Sequence, residues 1–510
     1  MDKNFNIVDL FFDAAGKYPE HIAIIDKKRQ ITFSELEKEI QDTACHFLTK
    51  GIRRGDRVLI FVPMSIDLYR IVLSLFKIGA TAVFLDEWVN KKRMEECCKI
   101  AQCHAFIGVS KAHILSLFSS EVRKIPIHLG TKFISGSKNN LTAMPVLPHD
   151  TALITFTTGS TGTPKAAKRT HRFLHEQFKV LAQKINPQPG EISLPALPIV
   201  LLINLAVGST SLITGYKARK PDKMNPDKIL DQINFYKVDS IVASPFFIKQ
   251  LATFTIKHQV KFPSLKKIFT GGAAVFPGEA KIYQKAFPKT EIEVIYGSTE
   301  AEPISSIRIE ELIKEDLFAK GLNVGKPDDN VEVKIISLQK GIINCADETE
   351  FQKIIISDGS IGEIIVSGPH VLDAYFNDEK ALKQNKIFVK GKCWHRTGDS
   401  GFLIDTTLFL TGRCNTLIYI NHKIISPFLY ENYFQTIAGI ETGTILEKER
   451  KIIAVIEPFP GFDKNEITEQ IRKIKEPLLP IYTIKWISKM PRDARHHSKI
   501  DYEKLQRLLQ

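Results

Sequence analysis

Residues 157–165 read Thr-Thr-Gly-Ser-Thr-Gly-Thr-Pro-Lys, and seven of these nine positions are Gly, Ser or Thr. Gly159 and Gly162 let backbone N–H groups turn inward without a Cβ clash. Thr157, Thr158, Ser160, Thr161 and Thr163 add hydroxyl donors, and Lys165 adds a point charge. Together they describe a cradle for a polyphosphate. Two other readings are weaker. A flexible linker of this composition would not follow an apolar strand directly and close on Pro164-Lys165. A P-loop of the G-x-x-x-x-G-K-[ST] type fails, because Pro164 stands where its second glycine is required and Ala166 where its magnesium-binding hydroxyl is required.

Such a loop needs a strand behind it, and residues 153–156 supply one. The same kind of run, short and rich in β-branched residues, recurs in DRVLIFVP (56–63), TAVFLD (81–86), HAFIGV (104–109), SIVASP (240–245), KKIFTGGA (267–274) and EVIYGSTE (293–300). Continuous apolar runs fit buried parallel strands. Between them lie amphipathic stretches, such as Leu174, Phe178, Leu181 and Ile185 at helical spacing. Strand and helix in alternation predict an α/β fold. The last hundred residues differ. TLIYINHKII and ETGTILEKERKIIAVIEP read as strands joined by tight turns, NEITEQIRKIKEPLL as a helix and IYTIKWIS as a closing strand. The expectation is a large N-terminal domain of α/β layers, residues 1–412, and a small, mobile α+β lid, residues 413–510.

A chain of 510 residues exceeds one compact core. Its net charge of +13 favours anionic partners such as nucleotides, nucleic acid or acidic lipid headgroups. With no Arg-rich tail and no nucleic-acid module in sight, no nucleic-acid partner is expected. The seven scattered cysteines do not space as a disulfide framework and point to a reducing, cytoplasmic setting. Cys97, Cys98, Cys103 and His104 lack paired ligand spacing and read as buried thiols. The N-terminus carries acidic residues where a signal peptide needs basic ones, so it reads as mature protein. Residues 194–215 are uncharged and long enough for a membrane span. Pro195 and Pro198 interrupt the stretch and Asn204, Ser209, Thr210 and Ser211 are polar, so a buried element beside an apolar pocket is expected; peripheral membrane contact is compatible with this.

Several segments in order resemble the adenylate-forming superfamily of acyl-CoA synthetases, peptide-synthetase adenylation domains and luciferases. They are ITFSEL (31–36), LFKIGATAVFLD (75–86), the phosphate loop, FTGGAAV (269–275), YGSTEAE (296–302), GEIIVSGPHVLDAYF (362–376), HRTGDSG (395–401), TGR (411–413) and Lys499. The resemblance implies ATP and Mg²⁺ as cofactors and a carboxylate that attacks the α-phosphorus. Both partners are anions, so the barrier is charge repulsion and positioning. It implies that residues 157–165 hold the β and γ phosphates, that Glu300 is the Mg²⁺ ligand and that Thr299 contacts the α-phosphate. Tyr296, with Gly297 and Ser298, would stack on adenine beside the close backbone approach of Gly271, Gly272 and Ala273. Asp399 would accept from the ribose hydroxyls near Arg413, and Lys499 would bridge carboxylate and α-phosphate.

Some positions depart from the pattern. Asn415 stands at the expected hinge. Asn421-His422 replaces glycines that line the pantetheine tunnel in CoA-using members. The run IVLLINLAVG (199–208) lacks the histidine often found there, and its apolar character suits a medium- to long-chain fatty acid. AFIGVSKAH (105–113) and MPRDARHHSKI (490–500) resemble the olefin-biosynthesis branch, in which an adenylated 3-hydroxy fatty acid closes a β-lactone; His496 and His497 flank that lysine. Transfer to CoA is the first expectation by a small margin, lactone closure the alternative, and nucleotide binding without turnover the third.

Overall fold

The computed structural model describes residues 5–85, 91–133, 141–158, 164–216, 223–315, 321–421, 423–474, 480–492 and 499–509; at Thr157 and Thr158 it describes the backbone alone. Two sheets form the frame. One runs in the order Ile127–Leu129, Ala105–Gly108, Arg57–Phe61, Thr81–Phe84, Thr151–Thr158, Pro164–Thr170. Its first five strands are parallel, and the last turns back antiparallel on Thr151–Thr158. The other has nine strands, with the parallel set Lys267–Gly271, Ser240–Ala243, Ile192–Pro195, Thr210–Leu212 and Ile22–Ile25 in the middle. Glu291–Ser298 adds in parallel to Lys267–Gly271, and Ala301–Arg308 then folds back on it as a hairpin. All six apolar runs named above are strands of these sheets. The central residues of the first five are buried on both faces, which is why they read as continuous rather than alternating, while Glu291–Ser298 leaves its end half-buried along the hairpin.

The helix Ile66–Lys77 is buried at every position but Asp67. Its side chains join Ile24 and Ile31 of the nine-stranded sheet to Val58 and Ala82 of the six-stranded one in a single apolar cluster, making it a middle layer. The helix Phe33–Thr49 starts from a reciprocal capping box formed by Thr32 and Glu35. The amphipathic stretch is the helix His171–Ile185, with Leu174, Leu181 and Ile185 buried and Phe178 half-buried. Residues 194–215 resolve into the end of a strand, the helix Pro198–Val207, which buries Val200, Leu201, Ile203, Asn204 and Leu205, and the fully buried strand Thr210–Leu212. Among the described residues, no helix is long and apolar enough to cross a membrane. Cys97 and Cys98 are buried in an apolar cluster with Leu59, Val83 and Phe106.

An antiparallel sheet built around Gly362–Ser367, Lys392–Ile404 and Thr407–Arg413 follows. Beyond it the chain builds separate cores, one from Ile418 to Ile471 and one from Leu446 to Leu505, so a smaller C-terminal domain accompanies the large one. Its strands Ile440–Lys448 and Lys451–Pro458 form a hairpin turned by Glu449 and Arg450, both left-handed at φ 53° and 59°, as tight two-residue hairpins require. Thr483–Trp486 adds to it in parallel. The smaller domain touches the larger through Phe428, whose ring lies 4.9 Å from that of Phe276, and through Ser426 Oγ, which donates to the Thr411 carbonyl.

Candidate active site

A cleft of about 2700 Å³ opens at the carboxyl ends of both parallel strand sets, where α/β folds place their ligands. Its wall carries Lys165, Gly271, Gly272, Ala273, Tyr296, Gly297, Ser298, Thr299, Glu300, Asp399, Arg413 and Lys499. Every described candidate residue except the backbone positions Thr157 and Thr158 is therefore brought to one place. Gly159, Ser160, Thr161, Gly162 and Thr163 lie outside the described residues, as do His422, His496 and His497.

The hydroxyl-rich segment connects the two strands of an antiparallel hairpin, with Thr157 opposite Lys165 and Thr158 opposite Pro164. Lys165 thus stands on the return strand rather than in the loop. It is buried and donates to Asn385 Oδ1 at 2.8 Å. Burial pulls its pKa down, while Glu300 and Asp378 act to hold it up. Asn385 ends a helix that no local motif ties to the loop, which is why the sequence did not reveal it.

Tyr296, Asp399 and Arg413 form the second group. Strand register sets Asp399 directly opposite Arg413, and Arg413 Nε lies 3.1 Å from Asp399 Oδ1. Tyr296 Oη donates to Asp399 Oδ2 at 2.8 Å. Burial, with the Asp399 carboxylate beside it, holds the Tyr296 phenol well above its usual pKa, so it remains a donor. Asp399 was expected to accept from ribose; both its oxygens also have protein partners. The glycines here are required by close approach. A Cβ on Gly271 would stand 2.4 Å from the Ile295 carbonyl oxygen. The hydroxyls of Thr155 and Ser298 are buried on residues of the same wall and have no hydrogen-bond partner among the described residues. Buried hydroxyls without partners are rare in folded chains and suit a wall that receives polar ligand atoms.

Glu300 and Thr299 occupy the turn between Glu291–Ser298 and Ala301–Arg308. The turn is pinned from outside: Leu372 N donates to the Glu300 carbonyl at 2.7 Å, and Arg169 donates to the Thr299 carbonyl at 3.1 Å. Tyr375 Oη donates to Glu300 Oε1 at 3.3 Å. Behind Tyr375 lies Lys386, which sequence reading missed. Its ammonium is 5.6 Å from the Tyr375 ring centroid and donates to the Leu372 carbonyl. Burial pulls its pKa down to about 8 despite Cys393, Glu300 and Asp373 nearby. Opposite it in the strand register is His395, whose pKa burial drives well below the usual imidazole value. The only local hint was a lysine opening an apolar strand.

From the smaller domain, Lys499 is exposed on the cleft wall. The chain on either side of its segment is tied together by a bridge between Arg492 and Ile500. Three residues beyond Lys499, Tyr502 donates to Glu431, which Thr444 Oγ1 also contacts at 3.1 Å. Burial raises the Glu431 pKa to about 7. Asn415 sits in the 3-10 turn Cys414–Thr416, and Asn421 is left-handed at φ 48° in the turn between Ile418–Ile420 and Lys423–Ile425.

The family model of AMP-binding enzymes matches residues 11–376. The chain belongs to this family. Its chemistry is that of an adenylate-forming acid ligase, and ATP is the nucleotide the family uses. An olefin beta-lactone synthetase of Stenotrophomonas maltophilia (strain K279a) is 26% identical over 548 aligned residues, covering 99% of this chain and 98% of that protein. Two solved structures share the fold across nearly the whole length. The amide bond synthetase McbA from Marinactinospora thermotolerans has a TM-score of 0.81 at 17% identity, covering 99% of this chain and 100% of that one. The O-succinylbenzoate Coenzyme A synthetase of Bacillus subtilis, in complex with AMP, has a TM-score of 0.78 at 20% identity, covering 98% of each.

Proposed function

We propose that the protein adenylates a medium- to long-chain fatty acid with ATP, releasing pyrophosphate, and that a 3-hydroxyl of the same acid then displaces AMP. The observation that carries the first step is the cleft wall itself. Cationic and hydroxyl groups (Lys165, Thr155, Ser298, Lys499) share it with the Tyr296–Asp399–Arg413 group, and apolar Leu197, Ile199, Leu202 and Val275 continue it. The polar part suits a nucleotide and the apolar part an acyl chain. Residues 157–165 and Lys165 take the β and γ phosphates, Thr299 the α-phosphate, and Tyr296, Gly271, Gly272, Ala273, Gly297 and Ser298 the adenine. Asp399 and Arg413 take the ribose, and Lys499 bridges the two anions. The domain division falls between Gly412 and Arg413.

Glu300 fits Mg²⁺ in a particular way. Among the described residues no three His, Cys, Asp or Glu side chains gather as a metal cage. Mg²⁺ is commonly held by one or two carboxylates and the phosphates of its nucleotide, and Glu300 offers one carboxylate oriented by Tyr375. The ion would supply charge neutralisation on the phosphates.

In the second step the 3-hydroxyl oxygen bonds to the acyl carbon, the acyl–phosphate bond breaks, AMP leaves as an anion and the hydroxyl proton passes to solvent. The relation to the β-lactone synthetase over 98% of its length supports this reading, as does a side chain, Asn421, where a bare backbone was expected. Transfer to CoA is the competing second step. Product analysis by mass spectrometry decides. A fatty acid and its 3-hydroxy analogue are each supplied with ATP, with and without CoA. Loss of water from the hydroxy acid without CoA supports lactone closure. A thioester formed only with CoA removes it, and no pyrophosphate from either acid removes the adenylation reading.

A further inference from the structure

The strand Ala105–Gly108 ends at the same sheet edge as Thr151–Thr158, because the strands joining them are all parallel. The helix Ser110–Ser116 begins two residues later. Its inner face is anchored: Ala112 and Ser116 are buried, and His113 lies 3.0 Å from the Leu129 carbonyl and packs edge-on against Phe106. Its outer face and the turn after it are apolar. Ile114 and Leu115 are each 59% exposed, Leu117 63% and Phe118 68%. Four large apolar side chains facing water within five residues form a patch, not scattered surface residues, and such patches mark contact sites.

The patch has a cationic collar. Lys99, Lys111, Arg123 and Lys124 are exposed, and residues 91–129 hold seven lysines and arginines against three glutamates. One of those glutamates, Glu121, is already held by Lys124 at 2.8 Å. Leu115 and Phe118 also belong to the wall of the large cleft, so the patch is continuous with the candidate active site.

We propose that this apolar patch and its collar dock the protein on an anionic phospholipid bilayer. Ile114, Leu115, Leu117 and Phe118 enter the headgroup region, and Lys99, Lys111 and Arg123 face the lipid phosphates. Charge selects this occupant. A second copy of the chain would bring the same positive collar against itself, whereas an anionic leaflet complements it. The docked orientation turns the cleft mouth toward the lipid. Only this last consequence, delivery of an acyl chain from the membrane, rests on the fatty-acid reading.

The test is flotation of the full-length protein with vesicles of phosphatidylglycerol and phosphatidylcholine, and with phosphatidylcholine alone. Ile114 and Leu117 do not line the cleft, nor do Lys99 and Arg123. The double variants Ile114→Glu/Leu117→Glu and Lys99→Glu/Arg123→Glu should therefore keep pyrophosphate release in the absence of vesicles. The wild type should float with the anionic vesicles at low salt, and each double variant should bind them about tenfold or more weakly. Loss of binding in high salt or on phosphatidylcholine alone is also expected. Three results overturn the proposal: no flotation of the wild type, equal flotation on both vesicle types, or a dimer in solution that Ile114→Glu/Leu117→Glu dissolves. Because pyrophosphate release is read without lipid, failure of the docking surface and failure of the adenylation reading are separate outcomes.

Discussion

Lys386 offers a quantitative check on the electrostatics behind Glu300. Its ammonium is buried behind Tyr375, and its folded-state pKa of about 8 lies below the ordinary 10.5. A lysine with a depressed pKa releases its proton in the folded protein before the unfolded chain does. Between these two values the unfolded state binds more protons, so stability rises with pH and is lost again as pH falls through about 8. At about 1.36 kcal/mol per unit, a shift of roughly 2.5 units amounts to about 3 kcal/mol in full, of which about 2.5 kcal/mol appears between about pH 7 and about pH 10. Lys386→Met keeps the volume and removes the titration. Urea denaturation of both proteins at the two pH values reads this group together with the adjoining Cys393 thiol, whose titration the Lys386 charge helps to set; groups remote from both cancel in the difference. The wild type should gain about 2.5 kcal/mol relative to the variant on going to the higher pH. Parallel stability curves for the two proteins would show that Lys386 is not desolvated behind Tyr375.

Lys499→Ala should lower pyrophosphate release by about 10²–10³-fold, the usual effect of removing one preorganised charge, with an unchanged melting temperature because the side chain is exposed. Asp399→Ala removes the shared acceptor of Tyr296 and Arg413; nucleotide affinity measured by calorimetry should fall by about ten- to a hundredfold, as expected for lost hydrogen bonds to a charged group, and an unaltered Kd would contradict the ribose assignment. Glu431, raised to about 7, has the opposite sign of pH dependence from the usual carboxylate. The folded state keeps its proton longer, so stability falls as pH rises from about 4.5 to about 7, by up to about 3 kcal/mol; Glu431→Gln should flatten that slope, and a slope that survives the substitution would reassign it. Gly271→Ala forces a methyl against the Ile295 carbonyl and should destabilise the fold by about 1–3 kcal/mol, read by denaturation.

The strands were legible because burial on both faces writes an unbroken apolar run into the chain, and Val58–Ile60 or Ile241–Ala243 can hardly be read otherwise. The capping box at Thr32 and Glu35 is equally local, a Thr-x-x-Glu spacing that went unread. The hydroxyl-rich segment 157–165 stood out in composition but not in geometry: nothing in the spacing showed that the strand resumes at Pro164 and carries Lys165 out of the loop. Asn385, Tyr375 and Lys386 were illegible for another reason. They reach Lys165 and Glu300 across more than seventy residues of sequence, through strand pairings that only tertiary packing decides. A lysine at the head of a strand reads as solvated until its surroundings are known. The exposed patch at 114–118 was hidden the same way, since Ile-Leu-Ser-Leu-Phe has the composition of a core segment.

The meeting of Phe428 with Phe276 gives the joint between the two domains the character of a latch. Withdrawing the half-buried Phe428 costs less than the about 1.5–3 kcal/mol of a fully buried phenylalanine, and the aromatic pairing adds about 0.5–1.5 kcal/mol. That is a modest hold, smaller than the free energy a tightly held ligand releases, and any turn of the smaller domain would first have to break it. Gly412 is the keeper of this latch. Its φ of 107° and the 2.9 Å between its Cβ position and that of Phe428 leave no room for a side chain, and a methyl there would prop the catch ajar.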